Sequence, residues 1–237
     1  MSARALILAA GRGERMRPLS DHTPKPLLPA RGKRLIEWHL EALARAGVHE
    51  VVINTAWLEE QFPAALGDGT RWGLRLHYSQ EQRDHGGALE TAGGIATALP
   101  WLAPNGDEAF WVVSGDIFAP DFPFDDSARR AFETGHDLGH LWLVPNPPFN
   151  ARGDFCVAGD RLSRHPGDSE RPWTYANLAL LRPATVAGVA AGERAALGPR
   201  LFAAADAGRL GGEAWAGEWH NIGTPAQLAA LNRPAAS

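Results

Sequence analysis

The 237-residue chain has a single cysteine, Cys156, which excludes an intrachain disulfide and leaves no cysteine cluster for zinc or an iron–sulfur centre. A reducing, cytoplasmic setting fits that absence. No apolar run approaches the length of a membrane helix, and the first, Ala5 to Ala10, passes straight into Gly11-Arg12-Gly13-Glu14-Arg15 without a signal-peptide cleavage pattern. Neither sign of charge forms a block. With 27 acidic and 23 basic residues the net charge is −4, which speaks against nucleic acid as a partner. Lysine is the scarcest charged residue: 21 of the basic side chains are arginine, and only Lys25 and Lys33 are lysine. Where arginine serves almost everywhere, a retained lysine calls for a reason. Internal repeats, low-complexity segments and linkers are also absent, and the length suits one α/β domain over 1–237 better than two.

What is present is an alternation of strands and helices. Ala5 to Ala10 reads as a buried strand, Leu35 to Ala44 as a helix ended by Gly47, and Val51 to Asn54 as a second buried strand. Leu58 to Leu66 is helical in pattern and shortened by Pro63; Leu74, Leu76 and Tyr78 mark a third strand. Glu90 to Leu99 is a helix, and Phe110 to Val113 a fourth strand ending at Ser114-Gly115-Asp116. This order predicts βαβ units and a mainly parallel, Rossmann-like sheet flanked by helices. The second half is richer in strands: Leu138 to Val144, a hairpin from Phe155 to Leu162 around Gly159-Asp160, Tyr175 to Leu181, and Ala214 to Trp219. These are expected to add antiparallel strands at the sheet edge. A helix lies within Pro199 to Ala207, and Thr224-Pro225-Ala226-Gln227 is a capping box opening a terminal helix.

In an open α/β sheet, ligands bind beyond the carboxyl ends of the strands. The first such turn is Ala10-Gly11-Arg12-Gly13, whose glycines let backbone amides approach phosphate oxygens. The dinucleotide fingerprint fails because Met16 occupies its third glycine position, and no Walker A sequence occurs. His136 and His140 have the spacing of a helical metal pair, but Asp137 replaces the expected glutamate and Gly139 weakens a helix there.

Followed by Arg15, Pro18-Leu19 and Thr23-Pro24-Lys25-Pro26-Leu27-Leu28-Pro29, the loop resembles the signature of the nucleotidyltransferases that join a nucleoside triphosphate to a sugar 1-phosphate. Leu89-Glu90-Thr91-Ala92-Gly93-Gly94 is similar to that family's second glycine-rich segment, Ser114-Gly115-Asp116 to its metal-binding strand end, and Gly223-Thr224-Pro225 to its late Gly-Thr. The likeness extends over nearly the whole chain. It implies a nucleotide-binding half over 1–120, and a sugar-binding half with the terminal helix over 121–237. More narrowly, Gly11 to Leu19, Leu89-Glu90-Thr91 and Arg152-Gly153-Asp154-Phe155 resemble the bacterial uridylyltransferases acting on N-acetylmuramate 1-phosphate in cell-wall recycling.

The resemblance assigns roles residue by residue. Arg15 would neutralise the pyrophosphate leaving group and Lys25 would lie against the reacting phosphates. Ala10, Gly11, Arg12, Gly13, Thr91, Gly93 and Ser114 would contact the nucleotide. Gln80 or Glu81 would read the base: a glutamine offers uracil both donor and acceptor, whereas a glutamate accepts from the two guanine donors, and both readings stand. Mg²⁺ is the implied cofactor, held by Asp116. The family's second metal carboxylate is replaced here by Asn221, which removes one negative charge from the site. Gly153, Asp154 and Asn177 fall on the acceptor side, with Arg152 a further cation there. The implied partners are a nucleoside triphosphate and a sugar 1-phosphate, with no nucleic acid or membrane. Alternatives are a mannose 1-phosphate guanylyltransferase, a cytidylyltransferase for a small phosphorylated alcohol, or a nucleotide-sugar sensor without turnover. Nothing in the sequence fixes an oligomeric state.

Overall fold

The computed structural model describes residues 3–164 and 172–233. In chain order its strands are β1 (Arg4–Leu8), β2 (Pro29–Ala30), β3 (Lys33–Arg34), β4 (Glu50–Thr55), β5 (Arg75–Gln80), β6 (Phe110–Ser114), β7 (Ile117–Phe118), β8 (Gly139–Val144), β9 (Cys156–Ala158), β10 (Arg161–Ser163), β11 (Thr174–Leu181), β12 (Leu210–Ala214) and β13 (His220–Asn221). The helices are α1 (Leu35–Arg45), α2 (Gln61–Leu66), α3 (Glu81–His85), α4 (Glu90–Leu102), α5 (Asp126–Thr134), α6 (Gly198–Asp206) and α7 (Pro225–Leu231).

Nine strands form one mixed sheet in the order β5-β4-β1-β6-β11-β8-β12-β10-β9. Pairings β5–β4, β4–β1, β1–β6 and β8–β12 are parallel, and β10 and β11 alone run against the rest. The expected α/β class is therefore present, with one correction of placement. Hairpin β9–β10 does sit at the edge, but β11 lies in the centre between β6 and β8. It is apolar on both faces, with Leu178 to Leu181 fully buried, because it is covered on both sides like its parallel neighbours. The strand expected over Ala214 to Trp219 lies instead at Leu210–Ala214. Added Cβ atoms at Gly211 and Gly212 would stand 3.1 Å from His140 Nδ1 and 2.7 Å from Leu141 O, so glycine lets this strand pack against β8.

Alternation along β1 sends Ala5 and Ile7 into one core and Leu6 into the other, so the sheet separates two apolar layers. A third, smaller core positions the site. Met16, Leu28, Ala30, Leu35, Phe118, Ile222, Leu228 and Leu231 pack together with Trp38 against them. Each segment with candidate chemistry thus places an apolar neighbour in the same cluster: Met16 beside Arg15, Phe118 two residues after Asp116, Ile222 beside Asn221. Met16 and Phe118 are fully buried, worth roughly 2 kcal/mol each by area. Helix α7 is capped by Thr224, whose Oγ1 accepts from Gln227 N, but the reciprocal bond of the expected capping box is displaced by one residue: the Gln227 side chain accepts from Gly223 N at 2.9 Å, not from Thr224 N.

Candidate active site

The carboxyl ends of β1, β6, β8 and β12 and the start of β11 share one edge of the sheet. At the end of β1, Ala9 N donates to Asn54 O at 3.1 Å and to Asn54 Oδ1 at 3.0 Å, and the chain then leaves the sheet. Among the described residues, the backbone N–H groups of Ala10 to Gly13 bond to no protein acceptor. Gly11 faces open space. Gly13 adopts φ +63°, a backbone conformation that favours glycine, while an added Cβ would make only ordinary contacts, 3.4 Å from Ser20 and 3.5 Å from Lys25. Ser20 Oγ donates to Gly13 O at 2.7 Å, Trp57 Nε1 donates to Ser20 O at 2.8 Å, and the Arg12 guanidinium lies over the Trp57 ring. The following 3₁₀ turn buries Met16 and leaves Arg15 outward, against Gly223. A Cβ at Gly223 would lie 3.3 Å from Arg15 Nη2, so the guanidinium rests close to the Gly223 backbone.

Lys25 opens a 3₁₀ turn and reaches across the edge to Asp116, Nζ to Oδ2 at 2.6 Å, with the two side chains 14% and 27% exposed. Gly115 allows that approach: its N–H donates to Leu8 O at 2.8 Å, and a Cβ would press within 3.2 Å of Pro26. Strands β7 and β13 pair antiparallel, Asn221 opposite Ile117, and Ile222 N donates to Asp116 O at 2.9 Å. Asp116 and Asn221 are therefore brought together, and the Asn221 amide has no protein partner among the described residues. Beneath them His39, fully buried, meets Ile117 O at 2.7 Å through Nε2. Burial lowers its pKa to about 4 against the opposing pull of the Ile117 carbonyl and Asp116, so the ring is neutral at pH 7 and donates that proton.

Arg12, Gly13, Glu14, Arg15, Lys25 and Gly223 line an open basin of about 470 Å³. Beyond Asn221 two further cavities open, of about 250 Å³ and 620 Å³, which share Phe149, Trp219 and Asn221. The smaller contains Asp154, Thr174, Tyr175 and Asn177. Asp154 Oδ2 accepts from Tyr175 N at 2.8 Å and Asn150 Nδ2 at 3.1 Å. Asn177 adopts φ +58° where the β11–β8 register slips, one residue past the Leu178–Val113 pair and so level with Ser114. Gly153, at φ +67°, is held by packing: an added Cβ would lie 2.8 Å from Asn146 Oδ1. Arg152 is exposed beside it. Trp219 and Phe149 are aromatic walls that the sequence analysis did not single out; the available signal was that Trp219 stands two residues before Asn221.

On the base side the predicted set divides. Gln80 ends β5 with Oε1 bonded by Arg83 Nη1, and its amide N–H₂ has no partner among the described residues. Thr91 is half-buried at the start of α4. Glu81 is fully buried, with Oε1 accepting from Asn54 Nδ2 and Oε2 from Leu89 N, both at 2.8 Å. Burial raises its carboxyl above the usual range, partly offset by those bonds. This placement takes Glu81 away from any contact with a base. Gly93 is similarly withdrawn: Ala92 N and Gly93 N donate to Ala195 O at 2.9 and 3.1 Å, and a Cβ on Gly93 would meet Glu193 O at 2.1 Å. Its glycine serves helix packing. The residues His136 and His140 form no metal cluster among the described residues; His140 stands 3.8 Å from Glu213 instead.

A family profile described as "Nucleotidyl transferase" matches residues 4–152. An N-acetylmuramate alpha-1-phosphate uridylyltransferase from Neisseria meningitidis is 45% identical over 230 residues, covering 95% of each chain. A mannose-1-phosphate guanyltransferase beta-B from Xenopus laevis is 35% identical over 127 residues, 53% of this chain and 34% of the relative. Among solved structures, a Bacillus anthracis protein titled a glucose-1-phosphate thymidylyltransferase superposes with a TM-score of 0.81 over 98% of this chain and 94% of its own, at 17% identity.

Proposed function

Because this chain belongs to the nucleotidyltransferase family and is an enzyme of the sugar-1-phosphate type, we propose that it transfers a uridylyl group from UTP to N-acetylmuramate 1-phosphate, releasing pyrophosphate. The support for the finer substrate is the full-length similarity to the Neisseria uridylyltransferase. The observation that carries the chemistry is the Lys25–Asp116 pair at 2.6 Å, at the junction of an arginine-flanked basin and the aromatic-walled cavities. On this reading the protein acts in the cytoplasm, in recycling of cell-wall muramic acid.

No general base is required, since the attacking oxygen belongs to a phosphate that is already anionic. The obstacle is repulsion between two polyanions, which positioning and fixed positive charge must overcome. The free N–H groups of Ala10 to Gly13 hold triphosphate oxygens, and Arg15 offers its fork to the departing β- and γ-phosphates. Lys25 places a compact ammonium at the α-phosphate and the incoming phosphate oxygen. The acceptor oxygen forms a bond to the α-phosphorus as the α–β bridging bond breaks, and the electron pair leaves with pyrophosphate. Trp219 and Phe149 cover the sugar, and Asp154 and Asn177 hold its polar groups.

A Mg²⁺ ion fits the donors present: one carboxylate, Asp116, beside an amide oxygen, Asn221, with no protein partner among the described residues, both hard oxygen ligands. Bound there, the ion would neutralise charge on the phosphate oxygens. The test is pyrophosphate release with UTP, GTP, CTP and TTP against a panel of N-acetylmuramate, N-acetylglucosamine, glucose and mannose 1-phosphates, with and without Mg²⁺. Turnover of UTP with N-acetylmuramate 1-phosphate is expected. Turnover confined to GTP and mannose 1-phosphate, or tight UTP binding without pyrophosphate from any acceptor, overturns the reading.

A further inference from the structure

Glu81 is a fully buried carboxylate whose oxygens accept from an amide and a backbone N–H, with no cation bonded to it among the described residues. An isolated buried charge is unfavourable, so its retention needs a reason. We infer that Glu81 is a positioning residue that, through Asn54, locks together the three segments facing the nucleotide. This inference rests on the proposed site being a nucleotide site.

The reason lies in hydrogen-bond polarity. Ala9 N–H, at the root of the glycine-rich loop, donates to Asn54 Oδ1 at 3.0 Å. That bond fixes the orientation of the Asn54 amide and aims Nδ2 at Glu81 Oε1, 2.8 Å away. The second Glu81 oxygen takes Leu89 N–H at 2.8 Å, immediately before α4. Glu81 itself follows Gln80, the remaining base-side candidate, and begins α3. One chain of bonds therefore runs from Ala9 through Asn54 and Glu81 to Leu89, tying the ends of β1, β4 and β5 to the start of α4.

Both groups facing Glu81 are donors, so the side chain must accept twice. A glutamine would turn its N–H₂ toward Asn54 Nδ2 or toward Leu89 N–H. Glycine at position 94 belongs to the same device, since a Cβ there would lie 2.6 Å from Asn54 Nδ2 and 2.7 Å from Glu81 Oε1. Helix α4 can rest directly on the bonded pair only without a side chain at that point. Glu59 steadies the other side: its carboxylate accepts from Gln82 N at 3.1 Å and Arg83 N at 3.0 Å.

The polarity can be reversed at one joint. In Glu81→Gln/Asn54→Asp, the new aspartate accepts from Ala9 N–H and from the new amide N–H₂, and the new amide oxygen accepts from Leu89 N–H. The net charge is unchanged. The experiment measures UTP binding by calorimetry, KM for UTP and for the sugar 1-phosphate, and the folded fraction by circular dichroism, for wild type, both single variants and the double variant. Glu81→Gln is expected to weaken UTP binding about tenfold or more, as for a lost buried bond, with KM for the sugar phosphate within about twofold of wild type. Asn54→Asp, which sets two carboxylates face to face, is expected to be the weakest binder, and the double variant to recover to within about threefold of wild type. Wild-type UTP affinity in Glu81→Gln, equal loss for both substrates, or a double variant no better than the singles overturns the inference, including the case in which all variants fail to fold. If wild type binds none of the four nucleoside triphosphates, the proposed function fails instead.

Discussion

The two sides of the active-site edge are built differently. On the side proposed for the nucleotide, short loops at the ends of parallel strands are fastened by buried and part-buried bonds, Ala9 to Asn54 and Gly13 to Ser20 to Trp57, and by glycines that admit close packing. On the side proposed for the acceptor, the cavities are bordered by Phe149, 54% exposed, by Trp219, and by Asn221, its amide unpartnered among the described residues. A triphosphate is the same whatever sugar it is joined to, and a preorganised cradle suits it. The sugar varies between relatives, and walls of aromatic surface with a few fixed polar groups can be reshaped without disturbing the cradle.

The largest expected effect lies on the nucleotide side. Arg15→Ala should lower kcat on the order of 10²- to 10³-fold, measured by pyrophosphate release at saturating substrates, because the proposed mechanism sets Arg15 against the leaving group. A loss confined to KM would show instead that it only recruits the triphosphate.

His39 lies under the junction of the two sides, and its effect is on stability. Its folded pKa of about 4 is below the ordinary 6.5, so the unfolded chain binds more protons between those values. The contribution is complete above pH 6.5 and falls away as the pH drops toward 4, by about 3 kcal/mol for a fully buried ring. Urea unfolding from pH 7 to 4 should show that slope, and His39→Gln, which keeps a donor for Ile117 O, should flatten it. Identical slopes would place the acid sensitivity elsewhere.

On the acceptor side the effects should be smaller and selective. Trp219→Ala should raise KM for the sugar 1-phosphate about tenfold, as for a lost aromatic contact of roughly 1 kcal/mol or more, and leave KM for UTP unchanged. A parallel rise in both constants would dissolve the division between the two sides. Smallest is Asn221→Asp, which restores a second carboxylate beside Asp116; the Mg²⁺ concentration for half-maximal turnover should fall several-fold, and no change would remove Asn221 from the metal site.

The parallel half was legible in the sequence because buried strands such as Ala5 to Leu8 and Phe110 to Val113 are apolar throughout and end in turns. Strand β12 was not, since Gly211 and Gly212 carry no strand signature and Trp215 and Trp219 imitate an alternating face while lining a cavity. The central place of β11 depends on pairing across the chain, which no local pattern encodes. In the candidate site, Lys25 and Asp116 were singled out from motif context, and the fold brings the two side chains into contact. Glu81 and Gly93, expected against the nucleotide, are instead buried with Glu81 Oε1 and Oε2 and Gly93 N bonded within the protein; a motif residue looks the same whether it faces a ligand or holds the segment that does.

The two lysines state the central claim most sharply. Lys33 Nζ pairs with Glu41 and lies over the Trp38 ring at 3.5 Å, away from the basin, whereas Lys25 meets Asp116 within the site. The decisive measurement is kcat for Lys25→Arg and Lys33→Arg at saturating UTP and sugar 1-phosphate. Lys25→Arg keeps the charge but spreads it over a planar fork, and should lose at least about tenfold. Lys33→Arg should turn over as wild type. Equal tolerance at the two positions would contradict a reacting centre built around a single compact ammonium.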